Sequence, residues 1–121
     1  MNRADRVGNE LHALLAEIIR REIKDPRVGM VSITQVKVSG DLGVAEVFYM
    51  PLGGAGDTRE MGRGLRAASG YLRRLLGKRM RLRHIPELRF IADTHHDSAV
   101  DLITRLNALG EARRAELAEE E

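Results

Sequence analysis

Along the first 25 residues the apolar positions Val7, Leu11, Leu14, Leu15, Ile18 and Ile19 return every three or four places, with polar residues between them. That period predicts an amphipathic helix over residues 5–24, with Asp5 as its cap. Asp25-Pro26 ends it, because a residue before proline is pushed out of the helical region. From residue 30 the period changes to two. Met30 to Val38 is rich in β-branched residues and reads as a strand, with a phase slip between Ile33 and Val36 that predicts a bulge. Ser39 to Gly43 is a turn, and Val44 to Met50 is a second strand, so the two should pair as a hairpin.

Pro51 to Gly56 is a glycine-rich loop. Asp57 followed by Glu60 has the spacing of a capping box and starts a second helix. On a helical wheel Met61, Leu65, Ala68, Leu72, Leu75 and Leu76 share one side, and Arg63, Arg66, Arg74, Lys78 and Arg81 fall on the other. Gly70 sits inside this run, where glycine costs about 1 kcal/mol relative to alanine. It predicts a kink or a break into two helices. Ile85-Pro86 closes the unit, and Glu87 to Asp93 alternates as a third strand. Asp97 or Ser98 then caps a last helix through Ala99, Leu102, Ile103, Leu106 and Leu109. Residues 1–110 thus form one domain, with residues 111–121 expected to be an acidic, flexible tail.

Charge changes this picture more than composition does. The net charge is +2 over 121 residues. Residues 58–94 hold ten basic and three acidic side chains, whereas residues 95–121 hold three basic and seven acidic. The middle of the chain is a cationic module and its end is acidic. Within residues 63–83, Arg63, Arg66, Arg73, Arg74, Lys78, Arg79, Arg81 and Arg83 stand without one acidic neighbour. Solvated helices usually mix both signs, since opposite charges at i, i+4 contribute a few tenths of a kcal/mol each. Arginine also dominates here, and it is the better bidentate phosphate ligand. A polyanionic partner is therefore expected. Arg20, Arg21, Lys24 and Arg27 form a weaker second group. Arg79 falls toward the apolar side of the wheel, which suits a structural role.

The chain has no cysteine and no tryptophan, which excludes disulfides and thiolate metal sites. Two Phe and two Tyr leave little material for base-stacking platforms. No stretch is apolar for long enough to cross a bilayer, so a soluble, cytoplasmic protein is expected. Gly62-Arg63-Gly64-Leu65-Arg66-Ala67 spells the dinucleotide fingerprint, but it starts inside a helix rather than between a strand and a helix. Gly77-Lys78-Arg79 lacks the remainder of a P-loop. Asp93, His95, His96 and Asp97 lack the spacing of a ligand set, because adjacent histidines on an extended segment point apart. No metal, no cofactor and no catalytic residue is expected.

Three spaced motifs then carry a resemblance. Arg21-Glu22-Ile23-Lys24-Asp25-Pro26-Arg27-Val28-Gly29-Met30, the run from Ala68 to Arg83, and Pro86-Glu87-Leu88 are similar to bacterial ribosome-binding factor A, over about residues 5–109. The resemblance implies an α+β fold, a type II KH-like domain of order α-β-β-α-kink-α-β with a three-stranded sheet, here with a C-terminal helix added. An ordinary KH domain clamps nucleic acid with a Gly-x-x-Gly loop between two helices. This family has an Ala-x-Gly kink instead, matched by Ala68-Ser69-Gly70. The literal Gly53-Gly54-Ala55-Gly56 lies between a strand and a helix, the wrong place for a clamp. The resemblance further implies a non-enzymatic assembly factor that binds the 30S subunit and 16S ribosomal RNA during late maturation and 5′-end processing. It also implies support of growth in the cold and release with a partner GTPase. A monomer is expected. The alternative reading is an adaptor whose cationic helix grips an acidic protein.

Overall fold

The computed structural model describes residues 2–52 and 56–93. The elements are α1 (Arg3–Glu22), β1 (Val31–Val38), β2 (Val44–Pro51), α2 (Thr58–Arg79) and β3 (Glu87–Ala92). The sheet order is β1-β2-β3, with β2 central, antiparallel to β1 and parallel to β3. A parallel pair needs a crossover, and α2 supplies it. Both helices contribute to a core shared with the sheet. Val7, Leu11, Leu15, Ile18 and Ile19 of α1 and Met61, Leu65, Leu72 and Leu76 of α2 meet Ile33, Ala45, Val47, Tyr49, Leu88 and Phe90. The C-terminal helix and acidic tail expected from the sequence, the His95-His96 pair, and three of the four residues in Gly53–Gly56 lie outside the described residues.

The phase slip in β1 is a bulge. Ile33 pairs with Tyr49 and Gln35 with Phe48, leaving Thr34 out of the ladder. The extra residue lets Ile33 on one side of it and Val36 and Val38 on the other all pack against the core. The Thr34 hydroxyl donates to Oδ2 of Asp93, a buried carboxylate just beyond β3. The hairpin turn is fixed by side chains. Ser39 Oγ accepts from the amides of Gly43 and Val44 at 3.1 and 3.0 Å, and Asp41 Oδ1 accepts from the Gly43 amide at 2.9 Å. That amide and the Ser39 hydroxyl hold the Asp41 carboxyl below its ordinary pKa.

Four local expectations are corrected. The cap of α1 is Asn2, whose Oδ1 accepts from the Asp5 amide at 2.8 Å, so Asp5 lies in the first turn. The helix breaks after Glu22, just ahead of the Asp25-Pro26 stop. At Gly70 the helix is not broken, because α2 runs from Thr58 to Arg79 as one element. Full burial of a leucine contributes about 1.5–3 kcal/mol. Leu65, Leu72 and Leu76, all fully buried, hold both halves to the same sheet and outweigh one interior glycine. The helix then ends earlier than the arginine run. Met80 adopts an extended conformation and is buried, so Arg81 and Arg83 stand on the connection to β3 rather than on a helical face.

Candidate nucleic-acid interface

The orientation of α2 follows from the relative size of two effects. Each buried leucine is worth about 2 kcal/mol, whereas an exposed ion pair is worth roughly 0–1 kcal/mol. The leucine stripe therefore turns inward, and the charges take the face that remains. Asp57 fixes the start of the helix, accepting from the amides of Arg59 and Glu60 at 3.0 and 3.3 Å.

Arg63, Arg66, Arg73, Arg74, Lys78, Arg79, Arg81 and Arg83 are all exposed, as are Arg20, Arg21, Lys24 and Arg27. Their surroundings differ. Arg63 is paired with Glu60 one turn earlier. Arg73 donates from Nη2 to the Ile85 carbonyl at 2.6 Å, which ties α2 to the connection before β3. The Arg74 guanidinium lies over the Tyr71 ring, 5.6 Å from its centroid. Among the described residues, Arg66, Lys78, Arg81 and Arg83 make no ion pair.

Arg79 stands apart from this face. It reaches back to α1 and meets Glu17 Oε1 at 3.5 Å, while Arg21 binds Glu17 Oε2 at 2.9 Å. The hydrogen bond from Arg21 and then the charge of Arg79 hold the Glu17 carboxyl below its ordinary value. Tyr71 makes a second link between the helices, its hydroxyl donating to Glu22 Oε1 at 3.3 Å. Arg79 is thus part of the seam between α1 and α2, as its wheel position suggested.

The weaker group at the end of α1 is also divided. Arg20 and Lys24 make no ion pair among the described residues, whereas Arg21 is shared with Glu17 and Arg27 is held by Asp25. The Arg27 guanidinium chelates Asp25, with Nη2 2.6 Å from Oδ2 and Nε 3.1 Å from Oδ1. This contact raises the pKa of Arg27 and, together with the Arg27 amide, lowers that of Asp25.

One cation on this face escaped the sequence reading. Arg59 is exposed, makes no ion pair among the described residues, and precedes Arg66 by two helical turns. Arg59, Arg66 and Arg73 are spaced by seven, which places them on one line along the helix. The spacing was present in the sequence, but Glu60 separated Arg59 from the acid-free run. Gly62 and Gly64, the first letters of the apparent dinucleotide fingerprint, serve packing. A Cβ on Gly62 would strike the Tyr49 hydroxyl, and one on Gly64 would lie 2.6 Å from Val28 Cγ2. Among the described residues no group of His, Asp and Glu has the arrangement of a metal site, and no helix is long and apolar enough to span a membrane.

These features define a class: a small α+β, KH-like domain whose crossover helix presents an exposed cationic face. The chain belongs to the ribosome-binding factor A family, whose model matches residues 3–106. It is 45% identical over 108 residues to ribosome-binding factor A of Thioalkalivibrio sulfidiphilus, covering 89% of this chain and 81% of that protein. To the Pseudomonas fluorescens factor it is 43% identical over 117 residues, covering 95% and 85%. Its fold is similar to the crystal structure of the Thermus thermophilus factor, with a TM-score of 0.67 and 27% identity over 74% of this chain and 93% of that one. It is also similar to a homology model of the Thermus thermophilus factor fitted into a cryo-EM map of a 30S–RbfA complex. There the TM-score is 0.63 and the identity 28%, over 74% and 93% of the two chains.

Proposed function

We propose that this protein is a non-catalytic ribosome assembly factor that binds the 30S subunit through 16S ribosomal RNA and assists late maturation and 5′-end processing. The observation that carries the reading is the outer face of α2, where arginines and a lysine stand exposed on a helix that the core fixes from behind. Membership of the ribosome-binding factor A family supports the small subunit as the partner. Arg63, Arg66, Arg73, Arg74, Lys78, Arg81 and Arg83 neutralise phosphates, joined by Arg20 and Lys24, while Arg21, Arg27 and Arg79 brace the surface through Glu17 and Asp25. In this reading Ala68, Ser69 and Gly70 take the place of a KH clamp. The factor acts as a cytoplasmic monomer, supports growth in the cold and leaves the mature subunit with the help of a GTPase.

Cosedimentation of the full chain with 30S subunits over a range of salt tests the proposal. Each phosphate contact should lower log K by about 0.7–0.9 per tenfold rise in salt. A flat response would remove the electrostatic basis of the reading. Nuclease treatment of the complex should release the protein. A complex that survives digestion would favour the adaptor instead.

A further inference from the structure

The sheet has two faces, and among the described residues both helices pack on the same one. Along β2 the inward positions Ala45, Val47 and Tyr49 are buried, which turns Val44, Glu46, Phe48 and Met50 to the other face. In β3 Leu88 and Phe90 point inward, so Glu87, Arg89 and Ile91 point outward. Lys37 of β1 shares that outer face, its Nζ 5.7 Å from the centre of the Phe48 ring. A sheet covered on one side alternates apolar inward with polar outward. Near the hairpin turn the outward side chains follow that rule, Val44 apart, being Lys37, Glu46, Glu87 and Arg89. The far end breaks it. Phe48 pairs with Ile91 across the parallel ladder, and Met50 lies two residues beyond Phe48. These three are half-buried, yet they belong neither to the core nor to the residues packed against it. Val47 to Met50 and Phe90 to Ala92 are thus apolar on both faces, the pattern of strands covered twice.

The place of this patch bears on what covers it. β3 runs parallel to β2, so Ala92, beside Tyr49, and then Asp93 leave the sheet at the end where Met50 and Ile91 lie. Residues 94–121 continue from that point, outside the described residues. Their sequence carries Ala99, Leu102, Ile103, Leu106 and Leu109 at the spacing of one helical face, with Asp101, Thr104 and Arg105 opposite. A helix this short is marginal in water and needs an apolar partner. The link from Asp93 to Ser98 falls within the usual strand-to-helix connections of about two to six residues. As helix, residues 98–109 span about 18 Å, and β2 from Met50 back to Val44 covers roughly 20 Å. The segment can therefore lie along the sheet toward the hairpin. A second copy of the chain fits this patch less well, because a stable interface buries about 800 Å² per partner and three side chains offer far less. An attached segment needs no such area, since its link holds it at an effective concentration of about millimolar.

We propose that residues 98–109 form a helix that docks on the outer face of the sheet, seating Leu102, Ile103 and Leu106 on Phe48, Met50 and Ile91. The sheet then lies between α1 and α2 on one side and this third helix on the other. The inference does not rest on the RNA-binding reading, which concerns a different surface, and it stands or falls separately from it.

The test is NMR on the full chain. The methyl groups of Leu102, Ile103 and Leu106 should show nuclear Overhauser contacts to the Phe48 ring and to the methyls of Met50 and Ile91. The amides of residues 102–109 should exchange at least about tenfold more slowly than in an unstructured chain. Leu106→Asp should abolish both the contacts and the protection, whereas Thr104→Asp, on the opposite side of the helix, should keep them. A change in the sheet alone, Met50→Thr, should also weaken the protection of residues 102–109. Unprotected amides there, or contacts from this segment to another surface such as the exposed Met30 and Leu52, would overturn the proposal. Contacts seen only between differently labelled copies would overturn it too, because a second copy would then be the occupant. Equal protection in Leu106→Asp and the unaltered chain would do the same.

Discussion

The two halves of α2 use the same residue for opposite ends. In the first half Gly62 and Gly64 are buried, and a Cβ on either would collide with Tyr49 or Val28. In the second half Gly70 and Gly77 are exposed. A Cβ would find open space at Gly70 and only an ordinary contact with Ile85, 3.9 Å away, at Gly77. Nothing within the described fold requires glycine in the second half, although each interior glycine costs the helix about 1 kcal/mol. The first pair is explained by the fold alone. Contacts among the described residues do not explain the second pair.

The contrast can be broken most forcefully at Gly64. Gly64→Ala should overpack the contact with Val28 and lower stability by about 1–3 kcal/mol in urea denaturation. The same substitution in a Val28→Ala background should cost distinctly less, since the colliding methyl is gone, and the double-mutant cycle measures that coupling. An equal cost in both backgrounds would mean that Gly64 is not there to admit Val28. Gly70→Ala should do the reverse and raise stability by up to about 1 kcal/mol. A loss of stability there would erase the distinction between the halves.

Smaller effects sharpen the contrast. Arg66→Ala and Lys78→Ala should each change stability by less than about 0.5 kcal/mol, as surface substitutions do. Each should also reduce the salt slope of 30S binding by about 0.7–0.9. The smallest effect concerns the seam between the helices. Glu17 has a folded-state pKa below its unfolded value, so its pairing adds stability at neutral pH that disappears as pH falls through the folded-state value. Glu17→Gln should therefore melt slightly below the unaltered chain at pH 7, and the two melting curves should converge in acid.

Much of this fold was legible because single residues carried strong local rules. The phase of Ile33 against Val36 announced the bulge, and Asp57 announced the start of α2. What escaped was decided at a distance. The continuity of α2 through Gly70 depends on leucines on both sides of it facing one sheet, and the helix ends at Arg79 because Met80 is drawn into the core. The face of the site was legible from the arginine run. The sorting of its members was not, since it depends on carboxylates from other turns and elements: Glu17 and Asp25 hold Arg79, Arg21 and Arg27 to the protein. Arg59 could have been found from its sevenfold spacing to Arg66 and Arg73.

The bond from the bulged Thr34 to Asp93 has a kinetic meaning. It joins residues 59 positions apart and closes a loop that contains β2, the whole of α2 and β3. Closing such a loop carries an entropic cost that grows with its length, and contacts of this separation delay folding. The antiparallel hairpin can assemble locally, but the parallel strand must wait for its crossover helix. Thr34 and Asp93 therefore meet late. Their bond ties the end of β3 to the bulge in β1 across the central strand, and so anchors the far end of the segment that carries the cationic helix.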